Sequence, residues 1–156
     1  MKRQGFSLLE VPLVLSILGV LLALSFPRLN PSEQAVAQAA RMLSEQVVRA
    51  RLEAIRSGAF AGVQFDPTGA GSYTVFLDTD STPGLSPNDL ILQKVLFGQG
   101  DWARVRLLSP TAPATLLFDP RGIPQDFGGL TVRLSDESGT YTKGVEITPQ
   151  GRVRVP

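Results

Sequence analysis

The stretch KRQGFSLLEVP, Lys2 to Pro12, decides how this chain is read. Two cations and a glycine run into an apolar segment, FSLLEVPLVLSILGVLLALSF, that continues to Phe26 and holds Glu10 as its only charge. Its length matches the ~20 residues that a helix needs to cross a bilayer. Basic residues precede it (Lys2, Arg3) and none follows until Arg28. That asymmetry predicts a cytoplasmic N-terminus, with the rest of the chain on the far side of the membrane. A carboxylate at mid-membrane costs about 2.5–3.5 kcal/mol, and less near the interface. Glu10 therefore needs a reason to be there.

Three readings compete. As a secretory signal, the segment offers Ala23-Leu24-Ser25 as a small-x-small site before Phe26. Its apolar run, however, exceeds the usual ~7–15 residues and contains an acid. As a plain anchor it leaves Glu10 unexplained. As a segment processed and then assembled, it gives Glu10 a partner from another chain.

The residues favour the third reading. Gly5-Phe6-Ser7-Leu8-Leu9-Glu10 resembles the processing site of type IV pilins and pseudopilins. That family pattern is a short basic leader, Gly, the cut, Phe, a small or polar residue, two aliphatics, then Glu. The resemblance implies cleavage by a prepilin peptidase between Gly5 and Phe6 and N-methylation of Phe6. It also implies that Glu10, fifth in the mature chain, pairs with the amino terminus of a neighbouring subunit. Pro12 departs from the pattern, which usually has an aliphatic residue there; proline is tolerated in a first helical turn, so regular helix is expected from about Glu10. Loss of Met1–Gly5 leaves 13 basic residues against 14 acidic ones.

Composition narrows the rest. The 156 residues carry 15 Lys+Arg and 14 Asp+Glu, with no Cys and no His. Global charge therefore steers nothing toward nucleic acid or anionic lipid, and such binding would need a local patch. Thiol nucleophiles, Ser-His triads, disulfides and nearly all zinc sites are excluded. A Ser-Lys signature is also missing around the three lysines, Lys2, Lys94 and Lys143. The chain does not read as an enzyme, and no small-molecule substrate is expected.

Pro27 and Asn30-Pro31 should interrupt the helix, and Pro31-Ser32-Glu33 restarts it. Val36, Ala40, Leu43, Val47, Ala50 and Ala54 then recur at gaps of four and three, forming one apolar stripe. The stripe would suit a coiled-coil seam; packing on the chain's own sheet is the plainer reading. Arg41, Glu45, Arg49 and Glu53 follow one another at i+4 and predict ion pairs along another face. Gly58 is placed to cap the end. Beyond it the period changes to two, with strands predicted at 60–65, 73–78, 90–97, 103–108, 115–118, 130–135, 141–148 and 152–155, separated by turn formers.

The expected class is therefore α+β and pilin-like: a long N-terminal α-helix, its first half transmembrane, packed on antiparallel β-sheets. The divisions are a leader at 1–5, a transmembrane or filament-core helix at 6–27, its amphipathic second half at 28–58 and an extracytoplasmic β-rich domain at 59–156. Three stretches also resemble the GspH/FimT branch of minor pilins and pseudopilins. They are Ala50-Arg51-Leu52-Glu53-Ala54-Ile55, Phe118-Asp119-Pro120-Arg121-Gly122 and Ile147-Thr148-Pro149-Gln150-Gly151-Arg152-Val153. This branch implies a low-abundance subunit near the tip of an envelope-spanning filament, anchored by a single pass in a bacterial inner membrane with its C-terminal domain in the periplasm. The partners it implies are other pilins or pseudopilins.

Two candidate sites follow. Gly151-Arg152-Val153-Arg154 matches a terminal GRxR segment linked to DNA binding in the FimT-type branch, which serves DNA uptake. On a strand, Arg152 and Arg154 project to one side and can bridge phosphates; Arg104 and Arg106 alternate alike and could extend the patch. The alternative is a solvated edge strand in a GspH-type subunit of a type II secretion system, with no DNA contact. Asp78, Asp80 and Asp89 stand at positions one, three and twelve of an oxygen-rich loop, the spacing of a calcium loop. Pro83 and Asp89 stand where an EF-hand has Gly and Glu, so an ordinary acidic loop carries more weight and no cofactor is required. Trp102 and Phe127 read as packed aromatics before exposed contact residues.

Overall fold

The computed structural model describes residues 10–25, 30–82, 84–125 and 128–156. Gly5, Phe6, Pro27, Pro83 and Phe127, which carry expectations above, lie outside the described residues. The chain divides into two compact units that change over between Asn30 and Pro31.

The first unit contains α1 (Glu10–Ser25), 16 residues long and so about 24 Å. Residues 11–21 are exposed all round, although nearly all of them are apolar. Pro12 lies within the described part of α1, where the Ser16 hydroxyl donates to its carbonyl at 2.7 Å. Among the described residues no helix is long and apolar enough to cross a membrane.

The second unit is built on α2 (Pro31–Ser57). Proline suits the first helical position, where its missing N–H would have had no partner. Glu33 in the first turn and Arg56 in the last complement the helix dipole. After Ser57 the Gly58 N–H donates to the Ala54 carbonyl at 3.1 Å. The predicted stripe is buried, together with Ala39 and Gln46, and it packs against both of the chain's own sheets. The predicted i+4 ion-pair ladder does not form. Glu53 pairs with Arg56 one turn on, and Arg49 reaches across to Gln93 Oε1 at 3.3 Å. Two of the expected pairs put Arg before Glu, the weaker order on a helix.

All eight predicted strands are present, with ends moved by at most two residues. β1 (Ala61–Asp66), β2 (Ser72–Leu77), β3 (Leu90–Leu96) and β5 (Ala114–Phe118) form one sheet in the order β3-β2-β1-β5. β4 (Val105–Ser109), β6 (Leu130–Asp136), β7 (Thr142–Ile147) and β8 (Val153–Arg154) form the other in the order β4-β6-β7-β8. Every pairing is antiparallel. A short 3-10 turn, Gly100–Trp102, occupies a stretch read as a plain turn, and Trp102 packs partly buried against the core. Leu43 and Val47 of α2 share that core with Val63, Phe65, Leu116 and Phe118 of the first sheet and Val132, Leu134, Val145 and Ile147 of the second.

Candidate functional site

The C-terminal hairpin is built from Thr148 outward. Its N–H donates to the Arg152 carbonyl at 2.9 Å, and its own carbonyl accepts from Gly151 N–H at 2.8 Å. The Thr148 hydroxyl also accepts from Arg152 N–H at 3.2 Å. These bonds close a three-residue loop, Pro149-Gln150-Gly151, of the kind that ends in a left-handed residue. Gly151 supplies it with φ 73°. A Cβ there would lie 2.8 Å from the Phe118 ring and 2.9 Å from Pro124. The glycine of this segment is thus fixed by backbone conformation and packing.

Arg152 and Arg154 are both exposed, and with Thr148 and Gln150 they line a shallow groove. Arg154 stands opposite Glu146 in the β7–β8 register but is not ion-paired with it. Arg106 lies on β4, at the other edge of the same sheet, so two strands and about 14 Å separate it from β8. Arg104 directly precedes β4. Arg106 is held by Glu137 at 2.9 Å. The expected extension of one patch from Arg152 and Arg154 to Arg104 and Arg106 is therefore not continuous at the level of these four residues. Arg133 on β6 is exposed and lies between the two edges. It was not singled out from the sequence. Its alternation with Val132 and Leu134 signals an outward cation, but only the sheet order gives it those neighbours.

The acidic loop does bring its carboxylates together. One oxygen from each of Asp78, Asp80 and Asp89 lies within 4.8 Å of the others. The same three carboxylates also hold the loop. Asp78 Oδ1 accepts from Asp80 and Ser81 N–H, at 3.1 and 2.6 Å. Asp89 accepts from Thr79 and Ser86 N–H, at 3.1 and 2.7 Å. Asp80 accepts from the Thr82 hydroxyl and N–H, from the Ser86 hydroxyl and from the Asn88 amide. The Thr82 and Ser86 hydroxyls lead these donors in holding the Asp80 carboxyl down at about 2. A cation would have to compete with donors already in place. Asp136 fixes the β6–β7 turn likewise, with the Ser138 hydroxyl leading the donors that lower its pKa.

A helix whose apolar stripe is buried on two four-stranded antiparallel sheets, preceded by an apolar helical unit, is the architecture of a pilin-like subunit. The comparisons agree. The family model described as "Type II transport protein GspH" matches residues 39–151. The chain is 49% identical to the pilin-like protein PilA1 of Thermus thermophilus over 158 aligned positions, covering 99% of both chains. The type IV minor pilin FimU of Pseudomonas aeruginosa PAO1 superposes with a TM-score of 0.55 at 17% identity, over 78% of this chain and 87% of that one. The minor pseudopilin EpsH of the Vibrio cholerae type 2 secretion system does so with 0.52 at 17% identity, over 78% and 95%. The chain belongs to the GspH family of pilin-like proteins.

Proposed function

We propose that this chain is a minor subunit of an envelope-spanning pilus-like filament and that its C-terminal hairpin contacts DNA. The observation that carries the DNA reading is the groove in which Arg152 and Arg154 stand beside Gln150 and Thr148. It offers two guanidiniums on one side, neither of them ion-paired among the described residues, with amide and hydroxyl groups beside them. This chemistry suits phosphodiester oxygens. In this reading a prepilin peptidase cuts after Gly5, Phe6 is methylated, Glu10 meets a neighbouring subunit's amino terminus, and the segment to residue 27 sits in the inner membrane until assembly. The β-rich unit faces the periplasm.

The test is fluorescence anisotropy of a labelled DNA duplex with full-length protein in non-ionic detergent, titrated at several salt concentrations. Replacing Arg152 and Arg154 together by Ala should abolish most binding and flatten the salt slope by about 1.8, the value for two phosphates. Unchanged affinity and slope would remove the hairpin from the interface. The second reading, a secretion pseudopilin that does not bind DNA, is favoured by the description of the matching family model. Wild-type protein that leaves the duplex unbound at low salt would select it. Intact mass of protein from its native membrane tests the processing: a chain starting at methylated Phe6 is expected, and an uncut Met1 in peptidase-competent cells would remove the role given to Glu10.

A further inference from the structure

The register of the second sheet places more on its outer face than the hairpin arginines. On β6, Val132 and Leu134 are buried in the core, so Arg133 between them points outward. It pairs with Gly144 on β7 and with Ser109 on β4. Arg106 pairs with Ser135, two residues along β6. Arg154 pairs with Glu146, two residues along β7 from Gly144. Strand spacing and rise put Arg133 about 8 Å from Arg106 and about 12 Å from Arg154, at the level of their backbones, with the ends about 20 Å apart. The three cations thus form one diagonal across the sheet, from the β4 edge to the hairpin. Among the described residues no carboxylate is ion-paired with Arg133.

Gly144 is a second and independent sign. It lies inside a strand, where glycine weakens the structure. Its φ is not positive, and a Cβ there would meet only Pro156, at an ordinary 3.8 Å. Neither backbone conformation nor packing asks for glycine. The bare backbone leaves β7 flat opposite Arg133, which is where a ligand backbone would have to approach; the next outward residue of β7 is the exposed Glu146, opposite Arg154, so the approach is confined to the Gly144 side.

We infer that Arg133, with Arg106 and the open backbone at Gly144, continues the DNA track from the C-terminal hairpin across the outer face of the second sheet. This rests on the DNA reading above and deepens it. The ligand is a phosphodiester backbone followed over about 20 Å, roughly six nucleotides of B-form rise, and contacted without reading bases. Glu137 holds Arg106 through an exposed ion pair, which is weak enough for a phosphate to displace.

The same anisotropy assay on the full-length chain tests it with four variants. Arg133→Gln should bind about tenfold more weakly at low salt and lower the salt slope by about 0.9, while Arg133→Lys keeps the slope. Gly144→Val should weaken binding without lowering the melting temperature. Glu137→Gln should tighten binding by freeing Arg106, a gain that misfolding cannot mimic. If Arg133→Gln, Gly144→Val and Glu137→Gln all bind as wild type while the Arg152/Arg154 double variant does not bind, the track ends at the hairpin and this inference is overturned alone. If the wild type fails to bind the duplex at low salt, both readings fall.

Discussion

At position 151 the backbone sits at φ 73°, and a side chain would meet Phe118 and Pro124. Gly151→Ala therefore combines left-handed strain with overpacking of a buried site and should cost about 2 kcal/mol or more. Gly144, a few residues away, has neither constraint, so Gly144→Ala should be neutral or stabilise by up to about 1 kcal/mol. Parallel thermal melts of the two variants test the contrast, and equal losses would mean that Gly144 is also held by packing. At this scale the sequence was legible where chemistry is local. Turn formers separated the strands as expected, and at Phe118-Asp119-Pro120-Arg121-Gly122 the Asp119 carboxylate fixes the turn, accepting from Arg121 and Ile123 N–H at 2.9 and 2.8 Å. What stayed hidden is that this turn and the C-terminal hairpin meet, with Gly151 on Phe118, because that contact spans more than thirty residues of chain.

Among the elements, α2 shows which part of a helix is stabilised by packing. Leu43 is fully buried against both sheets, and Leu52 on the opposite side is 59% exposed. Leu43→Ala should cost about 2–5 kcal/mol, and Leu52→Ala about 0.5 kcal/mol or less, read from denaturant midpoints. The 3.6-residue period revealed that stripe. It missed Gln46, a polar residue carried into the interior by its position on the wheel. The loop from Asp78 to Asp89 makes a pH prediction. An unfolded Asp titrates near 3.9, whereas the folded Asp80 carboxyl is held down at about 2. Its contribution is thus complete above about pH 4 and lost as pH falls through about 2. The melting temperature should fall across that window, and less steeply in Asp80→Asn. Because loop donors already engage these oxygens, millimolar calcium should leave the melting temperature unchanged at neutral pH. A rise on adding calcium, absent in Asp80→Asn, would reassign the cluster as a cation site.

For the whole molecule, period-two alternation was enough to find every strand but could not order them. Strands β4 and β8 differ in sequence position by almost fifty residues and sit at opposite edges of one sheet, so two arginine pairs that look alike in sequence lie far apart in space. Register, which depends on which strand inserts between which, is also what turned Arg133 from one exposed cation among many into the middle of a line. The division at Asn30/Pro31 leads to the last prediction. Among the described residues, every member of the buried core, from Val36 to Ile147, belongs to the second unit. Residues 11–21 of the first are exposed, and a helix apolar on all sides needs lipid or another chain around it. Deleting the first 30 residues should therefore leave a cooperatively melting domain that is soluble without detergent, while the full chain aggregates unless detergent, lipid or a second subunit covers α1. Differential scanning calorimetry of both forms decides it. A truncated chain without a cooperative transition would mean that α1 completes the fold of the β-rich unit, and the assembly role given to α1 would then have to be shared with a structural one.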